Sequence, residues 1–415
     1  YGGGGCWDAE TCNPDSKTYI YASTIEPNRH PDQLNGIFDL DHPENPVAGY
    51  SMVAIPVCTG DAYLGDRDAT YTLETESGDK QTFTIHHRGQ TNTMAVMDWI
   101  LDNFESPREI FVTGSSAGGV GTPFYANFLA RHYPSARVVG LGDDAGSWGI
   151  TGTGGADPGQ WGIPDVLQPH PGWEKFDDSL RVEHLYMTAA RNTPNLRLYQ
   201  FDHAHDEKQG FYLKLTGAED TDVLRYLRAN RQSIREQVPE FRSFIVGGFA
   251  HTVLLDKRFY NYQTDGHRLS DWVAAIVAGE PVTSVDCGDD CLRPGLVYNE
   301  EDLQIVERVI ELLSAPDVWN QEDKGGNCPK KAKRYSLRCA TVQAVRDVTG
   351  QTPGGLRNLP SAAWDVIYTA TDRLEHRGRG DVVRWFNNHE DTKVEDVIAL
   401  LEEVRDRIRK NLSNR

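Results

Sequence analysis

Apolar positions along this chain follow two rhythms. Runs of β-branched or alternating apolar residues predict strands at Tyr50–Val57, Glu109–Thr113, Arg137–Gly142, Asn195–Phe201 and Arg242–Gly248. Between them, apolar residues spaced by 3.6 predict helices at Asn92–Phe104, Ala117–His132 and Thr221–Val238, with Leu269–Ala278 after the last strand. Strand and helix in alternation predict an α/β fold, a mostly parallel sheet with helices on both faces. A hairpin of Ala69–Glu74 with Gln81–His86 is expected to decorate it. Two stretches break the rhythm. Residues 147–194 are rich in Gly and Pro, hold Trp148, Trp161 and Trp173, and have no period, so they are expected to form a lid-like insertion or binding wall. From Asn299-Glu300-Glu301-Asp302 onward the pattern becomes long and amphipathic, which divides the chain into an α/β domain over 1–295 and an all-α domain over 296–415.

Composition narrows what such a chain can do. The 415 residues carry a formal charge of −19, and 18 of those surplus negative charges lie in residues 1–299. That field repels phosphate backbones, so nucleic acid is not an expected partner. No run approaches the ~20 apolar residues of a bilayer span. The seven cysteines are at 6, 12, 58, 287, 291, 328 and 339. Cys6 with Cys12, Cys287 with Cys291 and Cys328 with Cys339 are each close enough to close a short loop, leaving Cys58 over. Disulfides would place the protein in a secreted or extracytoplasmic setting; inert reduced cysteines, zinc ligation and a thiol nucleophile are the alternatives. No signal peptide is visible, and the opening Tyr1-Gly2-Gly3-Gly4-Gly5 reads as if a strand preceded it.

The candidate chemistry centres on Gly114-Ser115-Ser116-Ala117-Gly118, set between the strand Glu109–Thr113 and the helix that follows. A Gly-x-Ser-x-Gly string alone is weak, but strand before and helix after is the context a nucleophile elbow requires, and it puts Ser116 at a helix start where backbone N–H groups favour developing negative charge. A serine hydroxyl needs a base, and the base an orienting acid. In an α/β-hydrolase these follow in the order acid, then histidine. His251, just beyond the apolar run 241–249, is the best-placed base among His184, His203, His205 and His267; His203 and His205 read as solvated loop residues. For the acid, Asp143, Asp144, Asp202 and Asp206 all follow strand ends, and the pattern leaves them open.

Taken together the strings GGGGCWDAETC (2–12), IPVCTGDAYLG (55–65), HHRGQTN (86–92), VTGSSAGGVG (112–121), DDAGSW (143–148), HDEKQ (205–209) and FAHTVL (249–254) resemble the pectin acetylesterase and Notum family of carboxylester hydrolases, over about residues 1–280. The resemblance implies an α/β-hydrolase-like fold and a triad of Ser116, Asp206 and His251, with Asp206 chosen because the family's Asp-x-x-Gln matches Asp206 to Gln209. It also implies oxyanion donors at Gly3, Gly4 and Ala117 and a Cys6–Cys12 disulfide. The animal members carry Trp where this chain has Gly4, which implies a different acyl pocket. The expected activity is removal of a small acyl group from a carbohydrate or similar ester, with no metal or organic cofactor. Alternatives are a carbohydrate-binding protein that stacks sugars on Trp148, Trp161 and Trp173, and a deacylase of lipid-modified protein, which needs a long apolar pocket. The carboxy-terminal part is similar to a small bacterial helical domain of unknown function, which implies no activity.

Overall fold

The structure is a computed structural model that describes residues 3–13, 34–74, 78–148, 160–176, 181–191, 193–289, 291–330, 332–353, 358–374 and 382–414. The expected hairpin is present as β1 (Arg67–Glu74) and β2 (Lys80–His87), antiparallel with Arg67 opposite His87. After α1 (Gly89–Asn103) come β3 (Glu109–Ser115), α2 (Ala117–His132), β4 (Arg137–Asp143), α3 (Ile163–Leu167), α4 (Val182–Ala190), β5 (Leu196–His203), α5 (Glu207–Leu215), α6 (Val223–Gln237) and β6 (Arg242–Val246). The four strands β3 to β6 pair in sequence order, all parallel. The fold is therefore α/β, as the alternating rhythms predict.

Side chains alternate across this sheet. Val138 and Leu198 join α2 and α4 in one apolar cluster, whereas Val139, Leu141, Tyr199, Phe201 and Phe244 join another on the opposite face. A second small sheet follows, formed by β7 (Tyr262–Thr264) between β8 (His267–Arg268) and, after α8 (Leu269–Ala278), β9 (Gly295–Leu296), with α7 (Arg258–Asn261) just before it. The chain then becomes helical: α9 (Glu300–Ser314), α10 (Leu337–Thr349), α11 (Ser361–Arg373), α12 (Val382–Asn388) and α13 (Val394–Ser413). The start of α9 has the local chemistry its sequence announces, a capping box in which Asn299 accepts from the Asp302 N–H and Asp302 accepts from the Asn299 N–H. Ser336 caps α10, and Gly350 ends it in the left-handed region.

These helices do not pack as a separate bead. One continuous cluster runs from Phe201, Phe244 and Val246 on the sheet, through Tyr262 and Trp272, to Val306 of α9, Ala344 of α10, Trp364 and Tyr368 of α11 and Leu401 of α13. The apolar stripes of these helices thus share one core with the α/β part.

Two sequence expectations are corrected. The run Tyr50–Val57, read as a strand, has no ladder partner among the described residues. An apolar cavity of about 480 Å³ separates this run from β3, lined by Met52, Val53 and Ile55 on one side and Phe111 and Val112 on the other. Backbones held apart by side-chain space cannot exchange N–H···O=C bonds, so the β-branched composition does not become a strand. The insertion at 147–194 falls partly outside the described residues; what is described includes α3 and α4, with Trp161 and Trp173 fully buried rather than presented as a wall. The three short-range disulfides are present, Cys6–Cys12, Cys287–Cys291 and Cys328–Cys339, and Cys58 is the free cysteine. Among the described residues no helix is long and apolar enough to cross a membrane.

Candidate active site

The parallel register gathers the candidate residues at the carboxy-terminal ends of the strands, where ligands of open α/β sheets bind. Ser115 lies opposite Asp143, and Asp143 opposite Phe201. Ser116, directly between β3 and α2, has φ 57° and ψ −121°. A non-glycine residue at positive φ is strained, and here the strain turns the serine out of the sheet edge at the head of a helix. A methyl at Gly114 would meet the Gly118 carbonyl at 2.3 Å, so the flanking glycines are a packing requirement of the turn. The Ser116 N–H donates to the Asp143 carbonyl at 2.7 Å, and its own carbonyl accepts from Gly119 and Val120, starting α2. Ala117 follows, and its N–H is one of the four at a helix start that have no intrahelical acceptor.

The glycine run approaches the serine from the other side. A Cβ on Gly3 would stand 2.7 Å from both the Cβ and the Oγ of Ser116, so only glycine fits there. Gly4 lines the same small cavity as Ser116. The run is pinned by the Cys6–Cys12 disulfide, by the Cys6 N–H donating to the Gly60 carbonyl (2.9 Å), and by Trp161 Nε1 donating to the Cys6 carbonyl (2.6 Å). Trp161 therefore supports the backbone near the serine.

His251 donates from Nδ1 to Asp206 Oδ2 at 2.7 Å; its side chain keeps 22% exposure while Asp206 is fully buried. Asp206 also caps α5, accepting from the Lys208 and Gln209 N–H groups, and Gln209 Nε2 donates to it at 3.0 Å. Gln209 reaches further than its motif suggests: the same Nε2 donates to Asp202, and its Oε1 accepts from the N–H and hydroxyl of Ser147. Burial opposes the charge on both partners. For Asp206 it is outweighed by the charge and hydrogen bond of His251, which leave the carboxyl below its ordinary range. For His251 it is outweighed by Asp206, with Asp144 and Asp143 adding to the effect, so the imidazole titrates above its usual 6.5.

The remaining acid candidates have other tasks. Asp202 is paired with Arg231 in the interior (2.6 Å) and accepts from the Gly146 N–H. Asp143 accepts from the Ser115 hydroxyl and from the Val253 and Leu254 N–H groups, tying the nucleophile strand to the histidine loop. Asp144 accepts from the Thr252 N–H (2.6 Å) and from both the N–H and Nδ1 of His203 (2.7 Å each). The solvated-loop reading of His203 is thus corrected: it ends β5, fully buried, because its neighbour across the sheet is a carboxylate that sequence periodicity cannot locate. The tether also explains Thr252, a β-branched residue at φ 60° beside His251, a conformation that persists only where its surroundings impose it.

Ser116, His251 and Gly4 line a cavity of about 20 Å³, together with Asp144, Gln209, Trp148 and Tyr212. Trp148 stacks on Tyr212 with centroids 6.0 Å apart, narrowing the space beside the serine. Of the three insertion tryptophans, Trp148 alone lines this cavity; Trp173 packs edge-on against Phe124 of α2. The 480 Å³ cavity beside β3 is lined by neither Ser116 nor His251.

Residues 1–149 match the family model described as pectinacetylesterase, and residues 297–407 match a family of unknown function (DUF6197). Similar curated proteins include pectin acetylesterase 4 of Arabidopsis thaliana, 28% identical over 147 residues, and pectin acetylesterase 5 of the same plant, 26% identical over 147 residues. Each alignment covers 35% of this chain, and the chain spans about a third of those relatives, 34% and 32%. The matched region includes Gly3, Gly4, Ser116 and Ala117 and ends before Asp206 and His251, so it is shorter than the 1–280 suggested by the motifs. The chain therefore joins a segment similar to the pectinacetylesterase family, residues 1–149, to one similar to a family of unknown function, residues 297–407.

Proposed function

We propose that the protein is a serine carboxylester hydrolase that removes small acyl groups, acetyl foremost, from a carbohydrate or similar ester. The observation that carries this reading is a half-buried histidine bonded through Nδ1 to a buried aspartate, opening with a strained helix-start serine onto one cavity. In the forward step His251 Nε2 takes the Ser116 proton as Oγ attacks the ester carbonyl. Asp206 holds the imidazole in the required tautomer and stabilises the imidazolium. The backbone N–H groups of Gly3, Gly4 and Ala117 receive the oxyanion; one such donor is typically worth ~2.7–4 kcal/mol in the transition state. The imidazolium then protonates the departing alcohol, and water, activated by the same histidine, releases the acid.

The cavities support a small acyl group. About 20 Å³ beside Ser116 favours an acyl group little larger than acetyl, and the larger apolar space is lined by neither Ser116 nor His251, although Gly114 and Gly118 of the serine turn border it. This argues against the lipid deacylase reading. The buried Trp161 and Trp173 likewise argue against the sugar-stacking alternative. The net −18 of residues 1–299 favours a neutral acetylated substrate over a polyanion, which would be repelled at long range. The disulfides fit an oxidising, extracytoplasmic setting. The test is burst hydrolysis of p-nitrophenyl acetate against p-nitrophenyl octanoate. Acetate turnover that exceeds octanoate turnover at least about 10-fold, and disappears in Ser116→Ala, supports the reading; turnover unchanged in Ser116→Ala refutes it.

A further inference from the structure

The helices beyond residue 296 touch the α/β part at one informative place, the loop that carries His251. Tyr368 of α11 lies against Gly248, its hydroxyl 3.2 Å from where a Cβ would stand, and its ring centroid is 5.1 Å from that of Phe249. The carbonyls of these two loop residues accept from the His205 and Glu207 N–H groups, which flank Asp206. One turn earlier on the same helix face, Trp364 lies under the Arg258 guanidinium, 4.6 Å from ring centroid to Cζ. Arg258 in turn donates to the carbonyl of Thr252, the strained residue after His251, while Asp144 holds the Thr252 N–H. The Tyr368 hydroxyl meets that of Tyr262 at 2.9 Å. On the far side of this contact Arg293, whose carbonyl abuts Gly247, is paired with Asp365 and Asp372 of α11.

We infer that the carboxy-terminal helical region is a positioning element for the reaction: through Trp364 and Tyr368 it holds the 248–258 loop so that His251 and Asp206 stay in register with Ser116. The inference rests on the esterase reading and gives a task to a region similar to a family of unknown function. Neither aromatic residue lines the cavity with Ser116, so both are positioning residues. The loop cannot relax freely, because Thr252 is clamped at both its N–H and its C=O, and Arg258, the clamp on the carbonyl side, has Trp364 as its floor. Misplacing a catalytic base by about 1 Å can cost about 100-fold, so a loop displacement too small to unfold the protein is enough to register in rate.

The charged groups that act on His251 are Asp206, Asp144 and Asp143; His203 is bonded to Asp144, and Arg258, paired with Asp256, reaches the carbonyl of the adjacent Thr252. Because the Asp206 contact holds the imidazole above 6.5, loosening that contact moves the histidine titration toward acid. The experiment uses the full chain with Trp364→Leu, Trp364→Phe and Phe249→Leu. The readouts are kcat and KM on p-nitrophenyl acetate, the acidic limb of the kcat/KM pH profile, and the thermal midpoint. Expected for Trp364→Leu is a kcat reduced about 10-fold with KM within about 2-fold, and an acidic limb shifted downward. Trp364→Phe, which keeps an aromatic floor, recovers most of the loss. Phe249→Leu cuts the Tyr368 contact at a half-buried position and gives the same shift in smaller size, which decides the matter if Trp364→Leu does not fold. A folded Trp364→Leu or Phe249→Leu with wild-type kcat and an unmoved limb overturns the inference. An NMR titration of the His251 ring in the Ser116→Ala background separates it from the esterase reading. There a downward shift caused by Trp364→Leu supports positioning even if the wild type turns over no ester, and an unmoved titration refutes positioning even if it does.

Discussion

Two aspartate–histidine pairs sit side by side at the ends of the sheet strands, each joined from Nδ1 to Oδ2 at 2.7 Å, and they behave in opposite ways. In Asp206–His251 the carboxyl is held low and the imidazole high, a pair disposed to carry charge. In Asp144–His203 burial and the neighbouring carboxylates push the acid well up, while burial, with Arg258 nearby, presses the histidine down to about 4. The contact geometry is the same; the surroundings differ. His251 keeps an opening to the cavity, whereas His203 is fully enclosed and its Nε2 has no hydrogen-bond partner among the described residues. An aspartate beside a histidine is therefore insufficient to mark a catalytic dyad; the free nitrogen must reach the space where substrate binds.

Substitutions can break this contrast. Asp206→Asn is expected to lower kcat by about 10 000-fold with the fold intact, because the amide fixes the wrong tautomer of His251; a smaller loss in Asp206→Asn than in Asp144→Asn would reverse the assignment of the pairs. Asp144→Ala should act mainly on stability. It leaves the Thr252 and His203 N–H groups without their acceptor, at about 1–3 kcal/mol in urea unfolding, and lowers kcat by only about 10-fold.

Acidity separates the pairs further. If neutral His251 is the base, kcat/KM rises with pH through a midpoint above 6.5, and Asp206→Asn moves that limb toward acid. His203 acts on folding instead. Its pKa is lower folded than unfolded, so between 6.5 and about 4 the unfolded chain takes up a proton that the folded state refuses, and stability falls as pH falls. Relative to His203→Asn, the wild type should lose up to about 1.4 kcal/mol per pH unit across that window; parallel curves would show that His203 is not held neutral.

The sheet was legible in the sequence because strands β3 to β6 are bounded by turns and separated by helices with a clean period, and α2 begins where the Gly-Ser-Ser-Ala-Gly turn says it should. The positions of Ser116 and His251 as candidates were legible for the same reason, since both follow strand ends. Which aspartate pairs with His251 was open from the pattern alone, because four share that position; the resemblance picked Asp206, which in the structure carries a cap, a glutamine bridge and a bond to a histidine 45 residues away. Burial of Trp161 and Trp173 was hidden because Gly- and Pro-rich surroundings carry no period, and their partners, Cys6 and Phe124, are remote in sequence. The helices α9 to α13 announced themselves by their amphipathic stripes, but a stripe does not say what it will cover. That α11 would lie on the histidine loop is a property of the shared core.

The unpaired flank of β3 bears on how the protein behaves in concentrated solution. Among the described residues no strand pairs with the outer edge of this strand, and beside it lie the half-exposed Met52 and Val53. An uncovered strand edge with apolar neighbours is a template for another chain's backbone, which folded proteins usually deter with charge or a bulge. Here Arg108 and Glu109 guard the start of the strand, while Ile110 to Thr113 carry no charge. Self-association of this molecule is expected to begin at that edge, on the flank of the sheet where no catalytic loop would register it.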